Sequence, residues 1–266
     1  MQPRAMGAGT VTVRADPCGQ TRIVNLRQSG SLKLVFPQTH RPDAEAILVN
    51  TAGGVTGGDS IDLTVDVGTG AALTLTTQAA ERAYRAQPGE VGRITTHASV
   101  AANACLHWLP QEMILFNHCA LRRTLSVDLG PQARLLMVEP MVFGRAAMHE
   151  RLTSVQFQDR ISVTRNGLPL YRDGMDLQGN AAQHLSRPAV ANGAGAMASL
   201  VFVAPDAATH VTVLRAMLPQ SAGASLIAAD VLVMRLLAAD SFDMRKALIP
   251  ILDHLTQNTL PLSWRL

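Results

Sequence analysis

Hydrophobic and polar residues alternate along much of the first 215 residues, in short runs that are separated by turn residues. In residues 72–78 (ALTLTTQ) every second side chain falls on the same face, and residues 124–129 (TLSVDL) repeat this pattern. Such a period of two is typical of half-buried strands. Asn166-Gly167 lies between two further runs, and because both residues tolerate positive φ, the pair predicts a β-hairpin.

These short strands follow one another without a long intervening helix, which favours an all-β body, at about residues 10–215, over an α/β fold. Residues 223–239 are apolar nearly all round and rich in Ala, Leu, Val and Met, which predicts a helix buried on most sides. Asp240 or Ser241 is placed to cap a second helix that runs to about Gln257. A kink or break is expected where Pro250 lies inside it.

The predicted fold is therefore mainly β, with a body of sandwich, barrel or solenoid type. A C-terminal pair of α-helices follows at about residues 222–258. The composition changes near Pro219, but we expect the β body and the helical pair to form one structural unit, a single domain over residues 1–266.

Composition narrows the class of protein. Of the 266 residues, 47% are hydrophobic and only 16% are charged, which excludes a disordered chain. The net charge of +3 gives no reason to expect nucleic acid or an acidic membrane surface as a partner. Three cysteines do not form a disulfide framework, no signal peptide is visible, and every apolar run is too short to cross a membrane. The simplest interpretation is a soluble cytoplasmic protein.

The densest glycine cluster covers residues 53–59 (GGVTGGD). A phosphate-binding loop is the first hypothesis to test, but that loop needs a Lys-Ser/Thr pair and a following helix. Here the cluster has no Lys, and a strand-like run follows it. A sharp bend between strands, where glycines allow positive φ and close approach of the backbone, fits better. Asp59 then lies on a tightly constrained bend.

Two glutamates lie inside apolar runs, Glu112 after the sequence WLPQ and Glu139 before a proline. Glu is rarely buried unless it is paired. The two could be paired acids, metal ligands, or partners of buried arginines such as Arg82, Arg85 or Arg145. The sequence leaves these alternatives open.

Thiols and imidazoles form a further candidate metal site. Cys105 and His107 fall on one face of a strand, and His118-Cys119 follows after a short interval. These groups could hold nickel or zinc, which makes a static nickel-binding protein one hypothesis. The spacing matches no zinc-finger template, however, and a strand-borne Cys is commonly a small core residue. The sequence does not assign a role to these four residues.

An enzyme from another class is the alternative function. A β-fold hydrolase or lyase would use two carboxyl groups across a cleft, about 5–9.5 Å apart. Asp59 with Glu112 or Glu139 could supply such a pair. The chain has no Gly-x-Ser-x-Gly nucleophile motif.

The order of several short segments along the chain resembles the urease accessory protein UreD family, also called UreH. The resemblance covers nearly the whole chain, and the ordered combination is more specific than any one segment. The segments are 52–59 (AGGVTGGD), 76–82 (TTQAAER) with Tyr84-Arg85, 108–112 (WLPQE), 142–145 (VFGR), 165–167 (RNG), 187–189 (RPA) and the end at Trp264.

This resemblance implies a nickel-insertion chaperone, not an enzyme. Members of the family form a cytosolic complex with the helical accessory protein UreF and the GTPase UreG. The complex docks on apo-urease, and GTP hydrolysis accompanies nickel delivery. The family fold is a β-rich, β-helix-like stack of strands with a few helices. No tightly bound cofactor is implied, only nickel in transit.

The family is thought to pass nickel through an internal polar channel, for which carboxylates suit a metal that must bind and then leave. The candidates for transient nickel contacts are Asp59, Glu112, Glu139 and, more weakly, Asp173. The motif positions expected to have structural or interface roles are Gly53, Gly54, Gly57, Gly58, Tyr84 and Arg85. Many relatives carry a His just before the double glycine, where this chain has Asn50-Thr51-Ala52, so no metal role is carried over to that position.

Overall fold

The structure is a computed structural model that describes residues 3–265, and most of these residues lie in two large β-sheets. The first sheet has seven strands, which pair in the order β14-β13-β11-β8-β5-β1-β2. Their bounds are β1 Met6–Ala15, β2 Thr21–Gly30, β5 Ser60–Val67, β8 Gly92–Val100, β11 Ala120–Leu129, β13 Val155–Arg165 and β14 Leu168–Gly179.

The second sheet pairs in the order β16-β17-β15-β12-β9-β6-β4-β3, with β10 and β7 attached beside β12. Its strands are β3 Leu32–Val35, β4 Ala44–Asn50, β6 Ala72–Thr77, β7 Glu81–Ala83, β9 Cys105–Leu109, β10 Met113–Leu115, β12 Arg134–Phe143, β15 Ala196–Val203, β16 Ala222–Ala228 and β17 Val231–Ala238. The α-helices are α1 Ala181–Leu185, α2 Ala207–Met217 and α3 Ser241–Leu255, and short 3₁₀ turns cover Ala146–Met148 and Leu262–Arg265.

The chain moves back and forth between the two sheets, so that each coil adds one strand to each of them. Thus β4, β6, β9 and β12 are parallel neighbours in the second sheet, and β5, β8, β11 and β13 are parallel neighbours in the first. Antiparallel strands close both ends of the stack, such as β2 on β1 and β14 on β13. This arrangement confirms the stacked-strand, β-helix-like body.

Two apolar layers hold the sheets and helices together. On β12, Leu135 and Met137 face the gap between the sheets, whereas Leu136 and Val138 face the helices α2 and α3. Successive side chains of a strand point to opposite faces, so a strand covered on both sides has no polar face. The second sheet is therefore the middle layer of three.

The period-two patterns correspond to strands. Residues 72–78 coincide with β6, and residues 124–129 lie within β11. The Asn166-Gly167 turn joins β13 to β14, with φ of 51° at Asn166 and 77° at Gly167. These positive values are what a two-residue hairpin loop requires.

The helix predicted over residues 223–239 is wrong, because that segment forms the β16–β17 hairpin. Strand β17 pairs with β15 on its other side, so it is a central strand. Leu232 and Met234 face the helices while Val231 and Val233 face the gap between the sheets. Burial on both faces removes the alternation that distinguishes a strand from a buried helix.

A C-terminal helical pair does exist, but its first member is α2, which lies before the hairpin. The two helices meet where His210 Nδ1 lies 3.0 Å from His254 Nε2. Helix α3 begins as predicted, with the Asp240 side chain accepting from Asp243 N at 2.9 Å, and it does not end at Pro250. No helix within residues 3–265 is long and apolar enough to cross a membrane.

Trp264 packs the C-terminal turn against the second sheet. Its side chain is fully buried, and its indole Nε1 donates a hydrogen bond to Leu109 O at 3.0 Å. Arg245 on α3 donates to Trp264 O at 2.7 Å and lies over the indole ring. The same tryptophan thus joins the second sheet, α3 and the C-terminal turn.

We expect Trp264→Ala to lower the free energy of unfolding by about 3–5 kcal/mol, because it removes a large buried side chain and leaves a cavity. Urea denaturation followed by circular dichroism measures this loss. Phe242→Ala is the matched control, since Phe242 is 73% exposed on α3 and its loss should change stability little. Equal effects of the two substitutions would contradict this role of Trp264.

Candidate functional site

The glycine cluster forms the bend between β4 and β5, and Asp59 holds that bend in place. Gly53 and Gly58 have φ of 75° and 85°, values that favour glycine. Asp59 Oδ1 accepts from Ala5 N and Asp59 Oδ2 accepts from Thr56 N, each at 2.8 Å. Both carboxylate oxygens of this buried side chain are therefore bonded to the backbone.

The other motif glycines and Tyr84 form one packed corner. A Cβ on Gly54 would lie 2.2 Å from Tyr84 Cε2, and a Cβ on Gly57 would lie 2.7 Å from a carbonyl oxygen of the following loop. The Tyr84 hydroxyl donates to Gly53 O at 3.1 Å, and Arg85 O accepts from a threonine hydroxyl of the bend. In the structure Gly53 and Gly54 thus contact Tyr84, and Gly57 packs against the loop that follows β7.

Glu112 lies in the loop between β9 and β10 and faces helix α3. Its Oε1 accepts from Ser241 Oγ at 3.0 Å and from Arg245 Nη1 at 3.2 Å. Gln111 beside it accepts from the same arginine at 2.5 Å. Glu112 thus bonds the loop to the first turns of α3, on the helix side of the second sheet.

Glu139 lies on β12 and points into the gap between the sheets, where it meets two buried residues of the first sheet. Arg123 Nη1 lies 2.6 Å from Glu139 Oε2. The same guanidinium makes a bidentate pair with Asp159, with Nη2 at 2.5 Å from Oδ2 and Nε at 3.0 Å from Oδ1. We call Arg123, Glu139 and Asp159 the ionic triad. Trp108 Nε1 donates to Glu139 Oε1 at 2.6 Å.

The ionic triad links the two sheets electrostatically. Arg123 is on β11 and Asp159 is its registered neighbour on β13, whereas Glu139 belongs to the second sheet. Burial raises the pKa of Glu139, and Arg123 opposes this rise. Burial disfavours the charged form of Arg123, but the carboxylates of Asp159 and Glu139 outweigh it and raise the arginine's pKa. One positive charge thus faces two acids, and all three side chains are almost fully shielded from solvent.

Two cavities meet at the ionic triad, and both are lined by Arg123 and Glu139. The larger has a volume of about 170 Å³ and extends between the sheets from Trp108 to the loop at residues 78–82. Glu81 lines its far end, where burial raises the pKa of that carboxyl and a hydrogen bond from Asn50 opposes the rise. The smaller cavity has a volume of about 20 Å³.

Asp173 lines the smaller cavity at the outer edge of the stack. It accepts a hydrogen bond from Tyr171 OH at 3.0 Å and forms an ion pair with Arg235 of β17. Of the four carboxylates predicted to contact nickel, Glu139 and Asp173 therefore share a cavity. Asp59 and Glu112 line neither of the two cavities that meet at the triad.

Arg123, Asp159 and Arg235 were not predicted from the sequence as site residues. A signal for two of them was present, because Arg123 occupies an apolar-face position of β11 and Asp159 does so on β13. A charged residue among alternating apolar ones indicates a buried partner. The arginines proposed as partners for the glutamates, Arg82, Arg85 and Arg145, do not pair with Glu112 or Glu139 in the described part of the chain.

The pair of acids that a hydrolase or lyase would need is not assembled within residues 3–265. Asp59, Glu112 and Glu139 are each about 5% exposed or less, and no cavity described above contains two of them. Each one has a different set of partners, namely backbone amides, α3 and the ionic triad. The geometry therefore gives this alternative no open cleft.

The thiols and imidazoles also stay apart. Cys105 and His107 line a cavity of about 340 Å³ on the helix side of the second sheet, whereas His118 and Cys119 lie in a loop beyond β10. Burial raises the pKa of Cys105 to about 11 and that of Cys119 to about 12, which keeps both thiols protonated. Within residues 3–265 no three His, Cys, Asp or Glu residues are grouped so that they could hold a metal ion.

Comparison with known proteins gives one consistent result. The family model described as UreD urease accessory protein matches residues 6–265. Three proteins named urease accessory protein UreD are similar to the chain. That of Roseobacter denitrificans is 52% identical over 100% of this chain and 96% of its own length. That of Ruegeria pomeroyi is 54% identical over 90% of this chain and 93% of its own length. That of Sinorhizobium medicae is 41% identical over 99% of this chain and 96% of its own length.

His107 should make stability depend on pH. Burial lowers its pKa from 6.5 to about 4, so the unfolded chain binds a proton in this range and the folded chain does not. Stability from this group is present above pH 6.5 and is lost as the pH falls towards 4. We expect a loss of about 1–3 kcal/mol, less than the whole shift in pKa would give, because His107 lines a cavity and is not fully enclosed by protein.

Urea denaturation at several pH values measures this effect. His107→Gln should flatten the dependence between pH 4 and 6.5, whereas His97→Gln should keep it, because His97 is exposed. An unchanged slope in His107→Gln would show that another group is responsible.

Asp59→Asn should destabilise the fold by about 1–3 kcal/mol, because an amide nitrogen cannot accept the second backbone hydrogen bond. Asp62→Asn is the matched control, since Asp62 is exposed on β5 and loses the same charge. Thermal unfolding of both variants measures the difference. If Asp59→Asn unfolds like the unsubstituted protein, the bend does not depend on this carboxylate.

Proposed function

Because the chain belongs to the UreD family of urease accessory proteins, and so has a role in urease maturation, we propose that it is required for nickel insertion into apo-urease. It acts in the cytoplasm as a scaffold, in a complex with a UreF-like helical protein and a UreG-like GTPase. It is not itself an enzyme. The glycine cluster lacks the lysine of a nucleotide-binding loop and leads into β5, which fits a nucleotide bound by a partner.

The observation that carries this proposal is the row of acidic groups in the cavities between the sheets. Glu81 lies at one end, Glu139 at the ionic triad and Asp173 at the other edge. Carboxylate oxygens bind a divalent cation without enclosing it when they are spread along a passage. The described residues contain no closed set of three ligands, which suits a cargo that must be released.

An exposed apolar strand supports the scaffold role. Strand β2 is at the edge of the first sheet, and Ile23, Val24 and Leu26 on it are 40%, 56% and 40% exposed. Contiguous exposed apolar side chains commonly mark a surface that binds another protein. An edge strand also offers unpaired backbone groups to a partner.

Complementation of a strain that lacks this gene tests the proposal. Without the chain, urease protein should be made at the usual level but should contain little nickel and have little activity, and the unsubstituted gene should restore both. Nickel per urease is measured by mass spectrometry of the purified enzyme. Fully nickel-loaded urease in the deletion strain would overturn the proposal.

In the same assay Glu139→Gln should lower nickel per urease by about tenfold, as loss of a metal contact commonly does. The fold should survive, because Arg123 keeps its bidentate pair with Asp159. Glu90→Gln is the matched control, since Glu90 lines neither cavity and pairs with Arg4 at the surface. Equal nickel loading with both variants would remove Glu139 from the path of the metal.

A further inference from the structure

The ionic triad is the point that separates the two cavities. Arg123 and Glu139 line the larger cavity on one side and the smaller cavity on the other. The side chains of Arg123, Glu139 and Asp159 are only 11%, 5% and 6% exposed. A route from Glu81 to Asp173 through these two cavities therefore runs past the guanidinium of Arg123.

The charges at this point are unbalanced. One guanidinium faces two carboxyl groups, so the triad has a net charge of −1 when both acids are ionised. A divalent cation in place of the guanidinium would balance both carboxylates. Because opposite charges attract strongly where water is excluded, a site of this kind favours a dication once the resident cation has left.

The two carboxylate oxygens of Glu139 have different partners. Its Oε1 accepts from Trp108 Nε1. Its Oε2 is buried and accepts no hydrogen bond of normal geometry from residues 3–265, although Arg123 Nη1 lies 2.6 Å away. A metal ion at this oxygen would therefore have to replace only the contact with Arg123.

We propose that Arg123 occupies a latent divalent-cation site formed by Glu139 and Asp159, and that its guanidinium closes the passage until a cation displaces it. This inference rests on the proposed function in so far as nickel is the natural cation. The guanidinium is a removable counter-ion for the two carboxylates, so the free protein does not hold the metal permanently.

A cavity lies beside the Arg123 guanidinium, and a second arginine-paired carboxylate lies beyond Glu139. The larger cavity adjoins the guanidinium and has room for it to swing away from the carboxylates. On the other side, Ser199 lies in register between Glu139 and Arg235. Arg235 pairs with Asp173, so the next carboxylate along the row is also held by an arginine. The same exchange of guanidinium for cation can then be repeated at the edge.

A purely structural triad is the competing explanation. A buried charge that loses its partner destabilises a protein, and Arg123 would then only hold the two sheets together. The two explanations differ in what happens when the arginine is removed, since a structural triad gains no cation site.

Nickel titration of the purified full-length chain tests the proposal. Arg123→Gln should bind one Ni²⁺ per chain roughly tenfold or more tightly than the unsubstituted protein, because a positive charge has left the site. Nickel should also raise its melting temperature. The triple variant Arg123→Gln, Glu139→Gln, Asp159→Asn should lose this site. Arg122→Gln is the matched control, because Arg122 is the exposed neighbour on the same strand.

The tryptophans locate the bound metal. The chain has two tryptophans, and Trp108 contacts Glu139 while Trp264 lies against Leu109 O. In an Arg123→Gln, Trp264→Phe background, Ni²⁺ bound at the triad should quench the fluorescence of Trp108. Binding without this quenching would place the metal elsewhere and overturn the proposal.

If Arg123→Gln does not fold, Arg123→Lys replaces it in the titration. The lysine ammonium keeps the charge but cannot bridge both carboxylates as the planar guanidinium does, so Ni²⁺ should bind more tightly than to the unsubstituted protein. Affinities of Arg123→Gln or Arg123→Lys equal to those of the unsubstituted protein and of Arg122→Gln would overturn the latent site. The complementation assay tests the proposed function independently of the latent site. It measures the nickel content of urease and uses the unsubstituted chain, so its result does not depend on how Arg123 variants bind Ni²⁺.

Discussion

A polar side chain in the gap between the two sheets must find its partner inside that gap, and most of the site follows from this constraint. The gap is lined by the apolar faces of both sheets, so an ionic group there loses its hydration. Arg123, Glu139 and Asp159 meet this constraint together by pairing across the sheets. The two cavities border on this interaction, because the same guanidinium lines both of them.

The four candidate carboxylates differ in the kind of partner that each one has. Asp59 is bonded to backbone amides on both oxygens, and Glu112 is bonded to the beginning of α3. Neither has an oxygen directed into the passage between the sheets. Glu139 and Asp173 are instead each paired with an arginine beside a cavity. An arginine side chain can move away from its partner, whereas a backbone amide in a tight bend cannot, and this difference is the reason to propose Glu139 and Asp173 as the nickel contacts.

Local pattern predicted the fold where one face of a strand is polar, and it failed where both faces are buried. Residues 72–78 and 124–129 show their alternation in the sequence, but β17 is covered on both sides and was predicted as a helix. The glutamates were recognised as candidates because acids are rare in apolar runs. Their partners were not found, because Arg123 and Asp159 are 36 residues apart and become neighbours only when β11 and β13 pair.

Arginine suits a removable closure better than lysine or a permanent metal site would. Its planar fork contacts two carboxylates at once, so one side chain bridges the two sheets and, in the proposed exchange, closes the passage between them. A set of three or four protein ligands around nickel would bind it tightly and release it slowly. In the proposed site a guanidinium already neutralises the two carboxylates in part. A dication must first displace it, which makes the net free energy of metal binding less favourable. In the proposed exchange, weak retention of the metal is therefore a consequence of the resting ion pair.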